Sequence, residues 1–398
     1  MKKALFPLFA ALALCAAAEP PAPASPAPPE ASAPASPSGA TAVLPQPPRG
    51  VAERVVLIGV DGLGARWIPW EKMPNLRALR DEGAYAVARC HRITASAINW
   101  RSVFTGLPPE IHGYNKWNSQ KADIEPPPSV FDATGAIPDL FSEVRRQRPG
   151  AFTASLYTWD CLGHCHATNA ASVARHFGGG HFGGGHAAYP QRDSAVFDEG
   201  IRQLASRKPL LALLYQGQVD ATGHAYGWGS PEFTNACERV DANIGRVVES
   251  LRALDLWDGT AIVFVADHGG LDKGHGGKED IRVFEVPFLV SGGAARGLSL
   301  REPAMLMDVA PTVLSLLGLD IPATMRGRSA LEPRSSSRCR RNGATPRAGR
   351  DGRRITRRRR LSRRGRRGSR GATGAWSGLL PCGRERRGGC RARIRSRK

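Results

Sequence analysis

Five short, continuously apolar runs recur in the middle of the chain and limit the folds it can adopt. They cover residues 54–60, 153–157, 210–215, 261–266 and 286–290. Runs that are apolar on both faces are typical of buried strands in a parallel sheet covered by helices. Helices are predicted between them over residues 74–80, 230–251 and 308–317, with Asp308 capping the last. The alternation of strands and helices predicts an α/β fold with a mostly parallel central sheet.

Three of the predicted strands lead to an aspartate. Asp61 directly follows the run 54–60, Asp267 directly follows the run 261–266, and Asp220 follows the run 210–215 after a short loop. In an open α/β sheet, ligands bind beyond the carboxyl ends of the strands. Three bare carboxylates at one edge of a sheet would repel each other, so metal cations are expected there.

Histidines accompany these aspartates. His224 follows Asp220 by four residues, His268 follows Asp267 directly, and His275 lies in a glycine-rich stretch. Carboxylate oxygens and imidazole nitrogens suit zinc or another borderline divalent ion. Gly223 is expected to allow a tight turn between Asp220 and His224.

Ser96 is the candidate nucleophile. It precedes a predicted helix that ends at Gly106, and a helix N-terminus favours an anion. Coordination to a metal would lower the pKa of its hydroxyl, and a second cation would hold the leaving oxygen or activate water. The alternative is a serine that only caps the helix. Its position three residues before Asn99 favours the nucleophile.

The ordered set of these motifs resembles the alkaline phosphatase superfamily, and most closely its type I phosphodiesterase/nucleotide pyrophosphatase branch. The matching blocks are Val60-Asp61-Gly62-Leu63, Met73-Pro74-Asn75-Leu76, Ser96-Ala97-Ile98-Asn99-Trp100 with Thr105-Gly106, Asp220 to His224, Ala266-Asp267-His268-Gly269 and Gly274-His275-Gly276. They occur in the family's order and span residues 51–328. Ile98 departs from the proline that often precedes the asparagine, and Ser96 replaces a frequent threonine.

The resemblance implies a three-layer sandwich with an inserted cap region and a site for two divalent metal ions, expected to be zinc. It implies one metal bound by Asp220, His224 and His275, and another bound by Asp61, Asp267, His268 and Ser96. Asn99 would donate a hydrogen bond to a phosphoryl oxygen. The implied reaction is hydrolysis of a phosphodiester, pyrophosphate or phosphomonoester through a covalent phosphoryl-serine intermediate. The cysteine motif from which sulfatases mature their nucleophile is absent, which disfavours sulfate esters.

Two segments with different composition precede the body of the chain. Residues 1–18 combine two lysines, a short apolar run and three alanines, which predicts a secretory signal peptide and a periplasmic or secreted protein. The apolar run is too short to span a membrane. Lipid attachment at Cys15 is the alternative. Residues 19–50 are rich in proline and alanine and are expected to form a disordered linker before the phosphoesterase domain at 51–333.

The positive charge of the chain belongs to residues 334–398. They contain 24 arginines and one lysine against Asp351 and Glu385, a net charge of +23, so the remainder carries 21 − 23 = −2. Composition favours an out-of-frame translation here over a basic arm that binds nucleic acid or anionic surfaces beside an inactive body. The body itself gives no reason to expect a nucleic-acid partner. A small phosphate ester is the expected partner, and the sequence gives no indication of the oligomeric state.

Substrate choice is expected in the segment 115–198, which carries no recognisable motif and is a candidate for the cap. Within it, Cys161 and Cys165 are expected to be free thiols or a disulfide rather than metal ligands. The tandem repeat from His176 to His186 predicts a flexible glycine-rich loop. His112 is expected to be a structural or surface residue rather than a metal ligand.

Overall fold

The computed structural model describes residues 48–333, except for 125–126, 134 and 179–184. The strands within these ranges are β1 (Arg54–Val60), β2 (Ala84–Arg89), β3 (Thr153–Tyr157), β4 (Val173–His176), β5 (Leu211–Gln216), β6 (Thr260–Ala266), β7 (Glu285–Ser291), β8 (Leu298–Leu300), β9 (Ala304–Met305) and β10 (Leu331–Pro333). The helices within them are α1 (Pro74–Glu82), α2 (Ser96–Thr105), α3 (Pro109–His112), α4 (Leu140–Gln147), α5 (Tyr189–Arg207), α6 (Gln218–Tyr226), α7 (Pro231–Ala253), α8 (Ile281–Phe284) and α9 (Val309–Leu316). The predicted signal peptide, residues 19–47 of the predicted linker and the arginine-rich tail lie outside the described residues. None of the helices just given has the length and apolar character needed to cross a membrane.

Eight strands form the central sheet in the order β4-β3-β5-β1-β6-β7-β2-β9. Strand β7 runs antiparallel to both of its neighbours, and every other neighbouring pair is parallel. Strand β1 lies near the middle of the sheet and is buried along its whole length. The expectation of an α/β fold with a mostly parallel sheet is confirmed. Strands β8 and β10 form a separate antiparallel pair.

All five apolar runs are strands, with bounds that agree with the prediction to within one residue. Their full burial explains why the periodicity of a one-sided strand is absent from them. Helix α7 begins as expected, because the hydroxyl of Ser230 accepts a hydrogen bond of 3.1 Å from the Phe233 amide.

Asp308 has the predicted position at the start of α9, but the prediction that its side chain caps the helix is wrong. Asp308 occupies the position before α9, but its carboxylate makes no hydrogen bond with the first turn of that helix. It accepts hydrogen bonds instead from the amides of Met305 and Arg328, each at 2.9 Å, and from the Arg301 guanidinium at 3.0 Å. These donors approach from outside the helix and occupy both carboxylate oxygens.

Helices cover both faces of the sheet, which gives the three-layer arrangement. Helices α1, α5 and α7 pack together on one face, and α2, α4 and α9 pack together on the other. The segment 115–198, expected to form a cap, contributes β3 and β4 to the sheet and α4 to one helical layer. Only part of it is therefore left to border a ligand site.

Candidate active site at the carboxyl ends of adjacent strands

Three neighbouring strands of the sheet, β5, β1 and β6, bring the three predicted aspartates together. Asp61 follows β1 and Asp267 follows β6, while Asp220 lies in the first turn of α6, which begins just after β5. Because these strands are parallel, their carboxyl ends share one edge of the sheet. The adjacency of the strands explains why residues far apart in sequence meet here.

The turn predicted between Asp220 and His224 is wrong. Residues 218–226 form helix α6, so the two side chains lie one helical turn apart, with His224 Nε2 3.5 Å from Asp220 Oδ1. Gly223 is needed for packing rather than for a turn, because a Cβ there would lie 2.8 Å from the ring of Trp228.

A second group of ligand atoms surrounds His268. Its Nε2 lies 3.3 Å from Asp267 Oδ2 and 3.6 Å from Asp61 Oδ1. The imidazoles of His268 and His275 stack with their centroids 3.7 Å apart, and His275 Nε2 lies 3.9 Å from Asp220 Oδ1. The stacked imidazoles therefore connect the ligand atoms around His268 with the pair formed by Asp220 and His224.

The backbone fixes the orientation of all three site histidines. Nδ1 of His224 lies 3.0 Å from the Lys273 carbonyl oxygen, and Nδ1 of His268 lies 3.0 Å from that of Gly269. Nδ1 of His275 is hydrogen-bonded to the Thr94 carbonyl. A carbonyl only accepts hydrogen bonds, so Nδ1 carries the proton and donates in each neutral ring. Each Nε2 then directs a lone pair toward the carboxylates, as in metal-binding histidines.

Burial opposes charge on these groups. Burial lowers the pKa of His268 and lowers that of His275 to about 2. Burial, reinforced by the charge of Asp61, raises the pKa of both Asp220 and Asp267 well above the usual range. Asp220 Oδ1 and Asp267 Oδ2 are buried without a hydrogen-bond partner among the described residues. Buried oxygens without donors, facing imidazole lone pairs, fit a divalent cation such as zinc.

The described residues contain two groups of three side chains whose ligand atoms lie within 4.8 Å of one another. One group is Asp61, Asp267 and His268, the residues that the resemblance implies for one metal together with Ser96. The other is Asp220, His268 and His275, in which His268 stands where the resemblance implies His224. The His224 side chain is 45% exposed. The division of ligands between two ions stays a prediction.

Ser96 is the first residue of α2, and its hydroxyl points into this cluster. Ser96 Oγ lies 3.1 Å from His268 Nε2 and 3.4 Å from Asp61 Oδ1. The N-cap position belongs to Ala95, so the interpretation of Ser96 as a plain helix cap is wrong. The N-terminus of α2 also offers an anion fewer free amides than expected, because the Ala97 amide donates to the Trp117 carbonyl at 3.1 Å.

Asn99 lies behind Ser96 rather than in the open cleft. Its side chain is fully buried, and its Oδ1 accepts a hydrogen bond of 3.1 Å from the His91 amide. Its Nδ2 has no partner among the described residues. A buried amide nitrogen without an acceptor suits a hydrogen bond to a bound anion, but contact with substrate stays a prediction.

A cleft of about 860 Å³ opens over Ser96. Its far wall comes from the segment 115–198, for which the sequence offered no motif. The lining residues from that segment are Asn115, Lys116, Trp117, Thr158, Trp159, Asp160, Gly185, His186, Tyr189 and Arg192. Aromatic and charged side chains at irregular spacing carry no sequence signal that could have identified them singly.

The remaining predicted positions lie away from the cluster. Cys161 and Cys165 are buried free thiols, so they form no disulfide in the structure. His112 is buried, with its Nε2 3.0 Å from Ser102 Oγ and its Nδ1 accepting from the Tyr114 amide. Residues 179–184 of the glycine-rich repeat lie outside the described residues.

Comparison with known proteins places the chain in a family. The sequence profile of the type I phosphodiesterase / nucleotide pyrophosphatase family matches residues 55–274, more than half of the chain. Fold and site together define an α/β enzyme of the alkaline phosphatase superfamily. The chain belongs to the type I phosphodiesterase/nucleotide pyrophosphatase family, as the resemblance of its motifs predicted.

Curated relatives match over part of their length. A 2,3-bisphosphoglycerate-independent phosphoglycerate mutase from Rhodopirellula baltica is 33% identical over 147 residues, which are 35% of this chain and 26% of the relative. Venom phosphodiesterase 2 from Crotalus adamanteus is 25% identical over 230 residues, which are 54% of this chain and 26% of the relative. The matched region thus spans about a quarter of each of these relatives.

Solved structures share the fold at low sequence identity. A putative sulfatase from Bacteroides thetaiotaomicron superposes with a TM-score of 0.54 at 14% identity, covering 70% of this chain and 73% of the other. A protein of the alkaline phosphatase superfamily from Vibrio parahaemolyticus superposes with a TM-score of 0.51 at 18% identity, covering 71% of each. These likenesses concern the fold alone.

Proposed function

We propose that this chain is a two-metal hydrolase of phosphate esters that uses Ser96 as its nucleophile. The observation that carries the proposal is the position of the Ser96 hydroxyl. Its oxygen lies 3.1 Å from His268 Nε2 and 3.4 Å from Asp61 Oδ1, at the edge where three strands deliver aspartates. Membership of the phosphodiesterase family supports phosphoryl transfer as the chemistry.

The residues that would hold the cations are those that direct a carboxylate oxygen or an imidazole Nε2 into the cluster. They are Asp61, Asp220, His224, Asp267, His268 and His275, with Ser96 beside them. When bound, zinc or a similar divalent ion lowers the pKa of a hydroxyl and neutralises charge on the phosphoryl group. The chain itself contributes orientation, because each imidazole is fixed by a backbone carbonyl through Nδ1.

Ser96 would attack phosphorus in line with the leaving oxygen. Its hydroxyl lies within hydrogen-bond distance of His268 Nε2 and Asp61 Oδ1, the two atoms that would bind a cation, so the hydroxyl proton would pass to solvent before attack. The attack forms a bond between Ser96 Oγ and phosphorus and breaks the bond to the leaving group, and water then releases the phosphoryl group from the serine. The Nδ2 of Asn99 would donate to a phosphoryl oxygen, which would satisfy a buried atom that has no partner among the described residues.

The cleft indicates an organic ester rather than free pyrophosphate alone. Trp117, Trp159 and Tyr189 give its wall apolar surface. Lys116 and Arg192 add two basic groups against the one carboxyl group of Asp160. Such a wall accommodates a leaving group with both apolar and anionic parts. Phosphomonoesters, phosphodiesters and pyrophosphates of this kind are all within the proposed substrate class. The signal-like residues 1–18 support export to the periplasm or the medium.

An assay set tests the proposal. p-Nitrophenyl phosphate, bis-p-nitrophenyl phosphate, a nucleoside triphosphate and p-nitrophenyl sulfate are compared before and after treatment with a chelator. We expect turnover of at least one phosphate ester, little turnover of the sulfate, loss on chelation and recovery with zinc. Ser96→Ala should lower kcat by at least about a thousandfold, as for other nucleophile deletions. Ser102→Ala, on the same helix but outside the cleft, is the matched control. Turnover by Ser96→Ala or by metal-stripped protein at the wild-type rate would exclude the mechanism.

A further inference from the structure

The two oxygens of the Asp61 carboxylate have different surroundings. Oδ1 faces the proposed metal site, 3.4 Å from Ser96 Oγ and 3.6 Å from His268 Nε2. Oδ2 faces the core, where it accepts hydrogen bonds from the indole of Trp100 at 3.0 Å and the phenol of Tyr215 at 2.5 Å. Hydrogen bonds to a carboxylate are charge-assisted and therefore strong. Two donors on one oxygen fix the rotation of the whole group.

The two donors are themselves held by packing. Trp100 is fully buried and Tyr215 is 1% exposed, and their rings meet edge to face with centroids 5.2 Å apart. Gly59 of β1 leaves room for them, because a Cβ at that position would lie 2.8 Å from the Trp100 ring. Neither ring can turn away from Asp61 without displacing core side chains.

Trp100 also connects Asp61 to the nucleophile. It lies on α2 four residues after Ser96, and therefore about one helical turn from it on the same face. Tyr215 lies on β5, next to β1, the strand that Asp61 directly follows. The hydrogen bonds thus join the nucleophile helix and two central strands at a single carboxylate.

From this geometry we infer that Trp100 and Tyr215 are positioning residues, which hold Asp61 Oδ1 toward the site and thereby set the affinity for the cation that Asp61 binds. The inference rests on the proposed function, because it assigns Asp61 to a metal. Donors that orient a metal-binding carboxylate contribute to affinity without touching the ion, and their loss typically costs about 10–100-fold in metal binding.

Titration of the metal-free protein with zinc in competition with a chromogenic chelator tests the inference. Tyr215→Phe and Trp100→Phe each remove one donor and keep an aromatic ring. We expect each variant to bind zinc at least about tenfold more weakly at the site that contains Asp61. Tyr114→Phe is the matched control, since it removes the hydroxyl of another buried tyrosine, which donates to the His164 carbonyl at 2.5 Å, outside the cleft. Its zinc affinity should equal that of the wild type.

The denaturation midpoint of each metal-free variant separates positioning from packing. A role in packing alone would lower the midpoints of the Tyr215 and Trp100 variants while leaving zinc affinity unchanged, and that result overturns the inference. So would an equal loss of affinity in Tyr114→Phe. A wild-type chain that binds no zinc at all would overturn the proposed function together with the inference, whereas tight wild-type binding that both variants retain overturns the inference alone.

Discussion

At the residue scale, the buried histidines of the described residues are of two kinds: His268 and His275 lie in the cluster of candidate ligands, and His112 and His166 lie in the core. His166 belongs to the second kind: its ring packs between Phe104 and Phe141, its Nδ1 donates to the Leu162 carbonyl and its Nε2 accepts from the Ser155 hydroxyl. Burial lowers the pKa of His166 to about 3 and that of His112 likewise to about 3. Both rings are therefore neutral in the folded protein across the range in which exposed histidines titrate.

These lowered pKa values predict acid destabilisation. The unfolded chain binds a proton at each histidine near pH 6.5 and the folded chain does not, so folding stability falls as pH drops below 6.5. From pH 6.5 to pH 5 the loss is about 2 kcal/mol for each histidine. In urea denaturation of the metal-free protein, His166→Phe should lose about 2 kcal/mol less than the wild type over this interval, even though the variant starts less stable. Identical pH slopes would show that His166 does not titrate on unfolding.

At the element scale, buried aspartates from one element hold the first amides of another helix. The carboxylate of Asp193, on α5, accepts from the amides of Gly217 and Gln218 at the start of α6, at 3.1 and 3.0 Å. Asp241, on α7, accepts in the same way from Asn75 and Leu76 at the start of α1. Each carboxylate satisfies helix amides that have no partner within their own helix. Helix α6 carries Asp220 and His224, so its placement bears on the proposed metal site.

Two matched substitutions separate stability from site geometry. Asp193→Ala and Asp241→Ala should each lower the free energy of unfolding by about 2 kcal/mol, because both leave buried amides without an acceptor. Only Asp193→Ala should also weaken zinc binding, by about tenfold, because α6 carries proposed ligands and α1 carries none. Urea denaturation and zinc titration of the two variants check this. Equal zinc affinities would show that the start of α6 does not set the geometry of Asp220.

The strands that the sequence predicted are those with the strongest burial. The five central strands are continuously apolar because helices cover both of their faces. Strand β2 was missed because only every second residue of it is buried, and β4 because none of its four residues is buried. Helix α6 was missed because Gly223 in its interior suggested a turn, whereas the glycine accommodates Trp228.

The same contrast holds for the site. The candidate ligands could be named from the sequence because three aspartates follow apolar runs in the order of the family's motifs. Three other features could not be predicted, because each depends on contacts between residues far apart in sequence. They are the donors to Asp61, the role of the Asp193 carboxylate and the aromatic wall of the cleft. The sequence pattern also could not show that Asn99 is buried behind Ser96.

At the scale of the whole molecule, the family match covers residues 55–274, and the described fold continues to β10. Strand β10 pairs with β8, and Leu331 in it is 2% exposed. The residues just before it also join the core, since the Ala330 amide donates to Thr312 Oγ1 at 3.0 Å. The described structural unit therefore extends at least to β10, and the arginine-rich segment follows it in the sequence.

Two truncations test this boundary. A chain that ends at Pro333 should keep the turnover and the denaturation midpoint of the full chain, because it retains β10. A chain that ends at Arg328 should lose about 2–3 kcal/mol of stability, the contribution expected from burying a leucine side chain. Parallel activity assays and urea denaturation check both chains. Loss of turnover in the longer truncation would instead assign a role in catalysis to residues 334–398.

The most direct test of the central claim is mass spectrometry of the protein quenched in acid during turnover of a phosphate ester. Ser96 as nucleophile predicts a phosphoryl adduct on the peptide that contains Ser96, present in the wild type and in Ser102→Ala but absent from Ser96→Ala. The adduct should also disappear when the metal is removed before substrate is added. Sustained turnover by Ser96→Ala, or an adduct on another residue, would contradict the account.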